Sequence, residues 1–229
     1  MAVDIGVSIP DVKDIGPFGR LAHQIGFTGI AVSASMDQPV KEIPEGITVY
    51  RRVNLTGKGI NSLRNQIQRV RKSAILVAAQ LGSIDTTNWA VEDQRVDFLM
   101  FDPSKEYRLR DTTAALASSS ATSLEIQAAP LLHSSGLQRS KILKTYRETV
   151  ATAVDAGMEV VLSSGAAHPM ELRSPVAMVH IGLLLGIERR LAERAIQELP
   201  AHLIERSMKR RQPESVGPGV EILRGEKKP

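Results

Sequence analysis

The sequence predicts an α/β fold: a parallel sheet with helical crossovers, closed or nearly closed into a barrel and followed by a helical C-terminal stretch. Three observations lead there. Short β-type runs recur at regular intervals with helical stretches between most of them, the pattern of strand–helix–strand units. The 229 residues are 42% hydrophobic but only 3% aromatic, which suits strands and helices packed through Ala, Val, Ile and Leu. No GxGxxG or GxxxxGK[ST] follows the first run, and no interdomain linker precedes residue 207; both favour a barrel over an open dinucleotide-binding sheet.

Taken in order, the strand candidates are Val3–Val7, Gly29–Val32, Ile47–Val53, Ile75–Ala79, Val96–Phe101, Ser123–Ala128 and Glu159–Leu162. Several are almost continuously apolar, as strands covered on both faces are. No eighth strand is evident, so the barrel is expected to be incomplete, or to have its last position filled by the helical residues Val176 to Met208. Between the third and fourth runs, Ile60, Leu63, Ile67, Val70 and Ala74 fall three and four apart and share one helical face. Asp85 is the expected N-cap of the following helix, with Trp89 and Val91 on its inner face. The apolar stretch Val176 to Ile187 is interrupted by His180 and falls short of the ~18 residues that span a bilayer, so it reads as a buried helix. Residues 1–208 form the expected barrel domain, and the basic, Pro/Gly-rich residues 209–229 the expected mobile tail.

Composition removes several function classes. The chain has no cysteine, which excludes disulfides, zinc-thiolate sites, iron–sulfur clusters and thiol nucleophiles. Its first residues lack the basic-then-apolar order of a signal peptide, and a cytoplasmic location is expected. The formal charge of +4 is unevenly placed. Gly46 to Ile84 holds seven basic residues (Arg51, Arg52, Lys58, Arg64, Arg69, Arg71 and Lys72) and no acidic one, a charge of +7 that leaves the rest of the chain at −3. A solvated helix usually alternates signs for i,i+4 pairing, so nearly forty residues without an acid point to a polyanion. Few aromatics interleave with these charges, which favours contacts to phosphate and shape over base stacking.

A barrel enzyme would carry its chemistry at the carboxyl ends of the strands, and those positions are sparse in reactive groups. They hold Ser8, Ser33, Ser35, Asn54, Asp102, Gln127, Ser163 and Ser164, with His168 beyond, and no Schiff-base lysine. The five histidines are scattered and the first strand lacks a His-x-His pair, so no metal site is expected. Ser163-Ser164-Gly165 admits two readings, a phosphate-binding nest joined by Arg173 or simply a tight turn, and the turn is the more ordinary use of those residues. Arg173 could equally pair with Glu171.

Val161-Leu162-Ser163-Ser164-Gly165-Ala166, then Glu171-Leu172-Arg173-Ser174-Pro175, then the helix ending Gly182-Leu183-Leu184-Leu185-Gly186 resemble the C-terminal signature of ribonuclease P protein component 3. This is the archaeal and eukaryotic thirty-kilodalton subunit family. Thr87-Asn88-Trp89-Ala90-Val91-Glu92, Val96-Asp97-Phe98-Leu99 and Pro130-Leu131-Leu132 are similar to further family segments, and the likeness runs from about residue 1 to residue 211. The order and spacing of these motifs carry it, since no single one is specific.

The resemblance implies a distorted TIM-like barrel without the histidine cluster of related phosphatase domains. It also implies a non-catalytic subunit of ribonuclease P that supports the catalytic RNA in removing the 5′ leader from precursor tRNA. Its expected partners are that RNA and protein component 2, with precursor tRNA met indirectly. No cofactor is expected on the protein, and magnesium is expected with the RNA. The seven basic residues above are the candidate RNA contacts; with roughly four or five phosphates engaged, affinity should fall three to four decades per tenfold rise in salt. Two other readings stay open. One is a metal-dependent phosphoesterase or phosphate-binding enzyme using Ser163, Ser164 and Gly165 with Asp102 or His168 as acid–base. The other is a docking scaffold built on the Val176–Ile187 helix or the tail.

Overall fold

The protein is described by a computed structural model covering residues 2–9, 11–211, 215–217 and 220–221. The seven expected strands are present, their ends displaced by two residues at most. They are β1 (Val3–Val7), β2 (Gly29–Val32), β4 (Ile47–Leu55), β5 (Leu76–Gln80), β6 (Phe98–Met100), β7 (Ser123–Gln127) and β8 (Val160–Ser163). They pair in that order, every neighbour parallel, as a barrel wall fed by right-handed crossovers should. An additional strand, β3 (Val40–Ile43), pairs antiparallel with the first half of β4. It escaped the sequence reading because Val40-Lys41-Glu42-Ile43 is only partly buried, and an edge strand needs no apolar run.

No ladder joins β8 to β1 among the described residues; polar groups close the seam instead. Ser8 N–H donates to the Ala166 carbonyl at 2.8 Å, and the buried Asp4 accepts from the N–H of Ser164 and of Gly6, each at 3.1 Å. Burial pushes the Asp4 carboxyl above the usual carboxylate range. Gly6 allows this close approach, since a Cβ there would lie 2.3 Å from Ser163 Oγ.

The helices α1 (Ile15–Gln24), α2 (Ile60–Val70), α3 (Ile84–Glu92), α4 (Asp111–Ser120), α5 (Ala129–Leu132) and α6 (Gly136–Asp155) occur among the strands. In α2 the expected face holds, with Leu63 and Ile67 fully inside. α3 starts one residue before Asp85, with Ser83 in the capping position. The expected C-terminal helical stretch is three helices, α7 (Pro175–Leu184), α8 (Arg189–Gln197) and α9 (Leu199–Lys209). α7 buries Met178, Val179 and Gly182 but leaves Val176 and Leu184 exposed, so that helix is half-buried.

α9 takes over the work of the missing eighth strand by plugging the barrel from its amino-terminal end. Leu199, Leu203 and Ile204 enter the cluster formed inside the barrel by Val3, Ile5, Ala31, Leu76, Ala78, Phe98 and Val161. Each such buried Leu or Ile contributes about 1.5–3 kcal/mol. A carboxylate anchors the plug. Asp97, fully buried, accepts from Val77 N–H at 2.8 Å and Arg71 Nη1 at 2.9 Å, while Arg210 and Arg206 of α9 and its end approach its other oxygen at 3.5 and 3.8 Å. Lys209 ends α9, and Arg211 donates to the carbonyls of Lys72 and Ala74 at 2.6 and 3.1 Å. Arg210 and Arg211, within the expected tail, are therefore tied to the barrel through their guanidiniums, while Lys209 stays exposed. A short antiparallel pairing of β9 (Ser215–Gly217) with β10 (Val220–Glu221) follows; the rest of the expected tail, residues 212–214, 218–219 and 222–229, lies outside the described residues.

Candidate nucleic-acid interface

The basic segment splits once it folds. Strand alternation turns Arg52 into the barrel, where it is 1% exposed. Its five N–H donors all find acceptors there. Nη1 and Nη2 grip Glu125 Oε1 and Oε2 at 2.5 and 2.6 Å, Nη1 also reaches the Ile5 carbonyl at 2.6 Å, Nε reaches Asn54 Oδ1 at 2.7 Å and Nη2 meets Met100 Sδ at 2.8 Å. Phe98 lies under the guanidinium, 4.8 Å from ring centroid to Cζ, and Ser163 Oγ completes the network by donating to Glu125 Oε1 at 2.6 Å. Arg52 is therefore removed from the candidate RNA contacts. The acid missing from the local sequence comes from Glu125, 73 residues away.

Arg71 and Arg51 are also partly withdrawn. Arg71 spends its guanidinium on Asp97 and Ser207. Arg51 is half-buried, its Nη1 lying 3.4 and 3.5 Å from the carbonyls of Met36 and Ser73. The remaining four, Lys58, Arg64, Arg69 and Lys72, are exposed, and none has a carboxylate within ion-pairing distance among the described residues. Arg64 acts at longer range on Asp93: burial works upward on that carboxyl, but Arg95 outweighs it and Arg64 adds a weaker pull downward. Gln66 of α2 fixes the preceding loop by accepting from the N–H of Thr56 and Gly57 at 3.0 and 3.2 Å, so Lys58 is held beside the helix. The result is a positive surface spread over the exposed side of α2, the loop before it and the turn after it.

The second candidate, the turn after β8, is a structural joint. Ser163 and Ser164 are each 1% exposed. The Ser164 N–H is given to Asp4 and the Ala166 N–H to Ser164 Oγ at 3.1 Å, so an internal carboxylate holds the position proposed for a phosphate. Gly165 adopts φ +67° to make the turn. Arg173 donates to the carbonyls of Met170 and Leu172 at 2.9 and 2.8 Å and forms no pair with Glu171. Glu171 pairs instead with His133 Nε2 at 2.9 Å and accepts from the N–H of Ala167 and His168. Partial burial works upward on Glu171, yet those bonds hold its carboxyl below the ordinary glutamate range. The residues of the phosphoesterase alternative are committed as well. Asp102 binds Ser104 N–H and Oγ at 2.9 and 2.6 Å, and His168 Nδ1 caps the turn Pro169–Glu171. Among the described residues, there is no group of three or more His, Asp or Glu placed to hold a metal ion.

Two sets of groups escaped the sequence reading. Arg206, Arg210 and Arg211 belong to the plugged end, although Arg210 and Arg211 fall within residues 209–229, the expected basic tail. Lys105 and Tyr107 lie in the β6–α4 connection, where no periodic pattern marks them.

A parallel seven-stranded barrel, filled at its carboxyl-end interior by a buried ion pair and charged on an outer helix, defines a protein of the TIM-like barrel class. The family model described as RNase P subunit p30 matches residues 1–212, and the chain belongs to that family. Similar relatives include ribonuclease P protein component 3 of Methanosarcina acetivorans, 30% identical over 90% of this chain and 88% of that one. The protein of the same name from Methanosarcina barkeri is 29% identical over 94% and 92%. Among solved structures, a chain of archaeal ribonuclease P with mature tRNA superposes with a TM-score of 0.76 at 20% identity, covering 97% of this chain and 100% of that one. A Xaa-Pro dipeptidase reaches a TM-score of 0.56 at 11% identity over 90% and 75%, a likeness of fold alone. No helix among the described residues is long and apolar enough to cross a membrane.

Proposed function

We propose that this ribonuclease P subunit is a non-catalytic cationic scaffold that supports the catalytic RNA in removing the 5′ leader from precursor tRNA. The observation that carries the reading is the positive surface of Lys58, Arg64, Arg69 and Lys72, which are exposed and free of ion pairs among the described residues. Mounted on a rigid barrel, they reduce repulsion between phosphates of the folded RNA and so lower the magnesium it needs. The magnesium stays with the RNA. About four phosphates engaged correspond to a loss of about three decades of affinity per tenfold rise in monovalent salt. Relatives named as ribonuclease P protein component 3 and a neighbour solved within archaeal ribonuclease P support RNA as the partner. Protein component 2 is the proposed protein partner, precursor tRNA the indirect one and the cytoplasm the proposed location. Reconstitution of the enzyme with and without this chain tests the reading: the expected result is a higher magnesium requirement for precursor cleavage when the chain is left out, and an unchanged requirement would reject it.

A further inference from the structure

We propose that the cleft at the carboxyl ends of β4, β5 and β6 is a pocket for one unpaired nucleotide of an RNA strand, base and phosphate together. The inference rests on the RNA-scaffold reading and adds a second mode of contact to it. The cleft encloses about 650 Å³, within the range of small-ligand sites. Leu55, Leu81 and Met100 supply apolar lining, while Lys58, Lys105 and Tyr107 supply charge and an aromatic face.

Tyr107 stands apart from every other aromatic in the chain. Phe18, Phe27, Tyr50, Trp89, Phe98, Phe101 and Tyr146 are all at most 9% exposed, whereas Tyr107 is 48% exposed. A lone exposed ring beside two lysines is the combination that binds a splayed-out base by stacking and its phosphate by charge. Lys58 and Lys105 make no ion pair among the described residues, and no carboxylate lines the cleft. Of the acids nearby in sequence, Asp102 is bound to Ser104, and Asp85 and Glu106 are exposed outside the lining. The N–H groups of Thr56, Gly57 and Gly82 are already given to Gln66 and Thr87. The lysines are thus left to meet the phosphate, unlike a backbone phosphate loop. A neighbouring depression of about 540 Å³ shares Thr56, Gly57 and Lys58 and leads to Arg69, so a strand lying on the exposed side of α2 reaches the cleft without leaving positive surface. Paired bases cannot enter a concave pocket, because their faces are covered by neighbours in the stack.

The test uses the full chain at low salt with three probes: a short 5′-phosphorylated single-stranded RNA, the blunt duplex of the same sequence, and AMP. Tyr107→Ala should weaken single-strand binding about tenfold or more while leaving duplex binding unchanged. Tyr107→Phe should retain it, and Lys105→Gln should lower it with a smaller salt slope. Photocrosslinking of a thiouridine-containing strand should map to the 105–107 segment in the parent protein. Since Tyr107 is exposed, circular dichroism should show the variants folded. Equal single-strand binding by Tyr107→Ala, or Tyr107-dependent binding of AMP without binding of the strand, would overturn the proposal. Single-strand binding that ignores Tyr107→Ala, with duplex binding still lost in the combined Arg64→Gln, Arg69→Gln and Lys72→Gln variant, would overturn the pocket and leave the scaffold reading standing; no RNA bound at all would overturn both.

Discussion

Arg52 and Arg69 come from the same acid-free stretch of sequence, yet one is sealed inside the barrel and the other stands in solvent. The difference is one of periodicity. A strand turns alternate residues inward, so Arg52 faces the barrel axis and must find a carboxylate, which β7 provides in Glu125. A helix with apolar residues three and four apart turns the rest outward, so Arg64 and Arg69, with Lys72 in the turn that follows, meet water and whatever polyanion approaches. Equal charges in one segment therefore divide into a structural pair and a binding surface. Local charge counting cannot separate them.

The comparison breaks most visibly at the buried end. Glu125→Gln leaves the Arg52 guanidinium uncompensated and should cost about 3–5 kcal/mol. For a chain of this size, that lowers the melting temperature by about 10 °C in thermal unfolding. Arg52→Met combined with Glu125→Leu should recover most of the loss, because both charges then disappear together; failure to recover would show that the pair does more than satisfy itself. Asp97→Asn comes next, at about 1–3 kcal/mol. Its arginines are partly solvated, with side chains 15% (Arg71), 18% (Arg206) and 27% (Arg210) exposed. Hydrogen exchange should then show α9 opening before the barrel strands.

On the solvent side, Gln at Lys58, Arg64, Arg69 and Lys72 should leave unfolding within about 0.5 kcal/mol per site, while the logarithmic salt slope of RNA binding shrinks from about −3 toward zero. A melting shift comparable to that of Glu125→Gln would place these residues in the fold rather than on the RNA. The smallest effect belongs to Glu171. Its carboxyl titrates below the ordinary range when folded, so its contribution is complete above the unfolded pKa and fades as pH falls through the folded one. Glu171→Gln should flatten that acid limb by a few tenths of a kcal/mol, read from urea midpoints measured across the acid range.

The strands and the inner face of α2 were legible because their signals are local: β-branched runs for the wall, a three-and-four spacing for the helix. β3 was not, since Lys41 and Glu42 alternate with half-buried Val40 and Ile43 at an edge. At the candidate site, Lys58, Arg64, Arg69 and Lys72 were legible as a cationic surface. Arg52 carried the same signal for the opposite role, and Ser163-Ser164-Gly165 resembled an anion turn until Asp4 entered it from the other end of the chain. Lys105 and Tyr107 gave no signal, because irregular connections have no period to read.

By itself, the sequence determined the aliphatic strand–helix alternation, the number of parallel strands, the absence of thiol chemistry and the cationic stretch, all of which depend on composition or on neighbours within a turn or a pleat. Only the tertiary structure decided which cations remain available, how the seam between β1 and β8 is closed and that α9 fills the open end. Each of those outcomes depends on a partner dozens to more than a hundred residues away, and no local pattern encodes that distance.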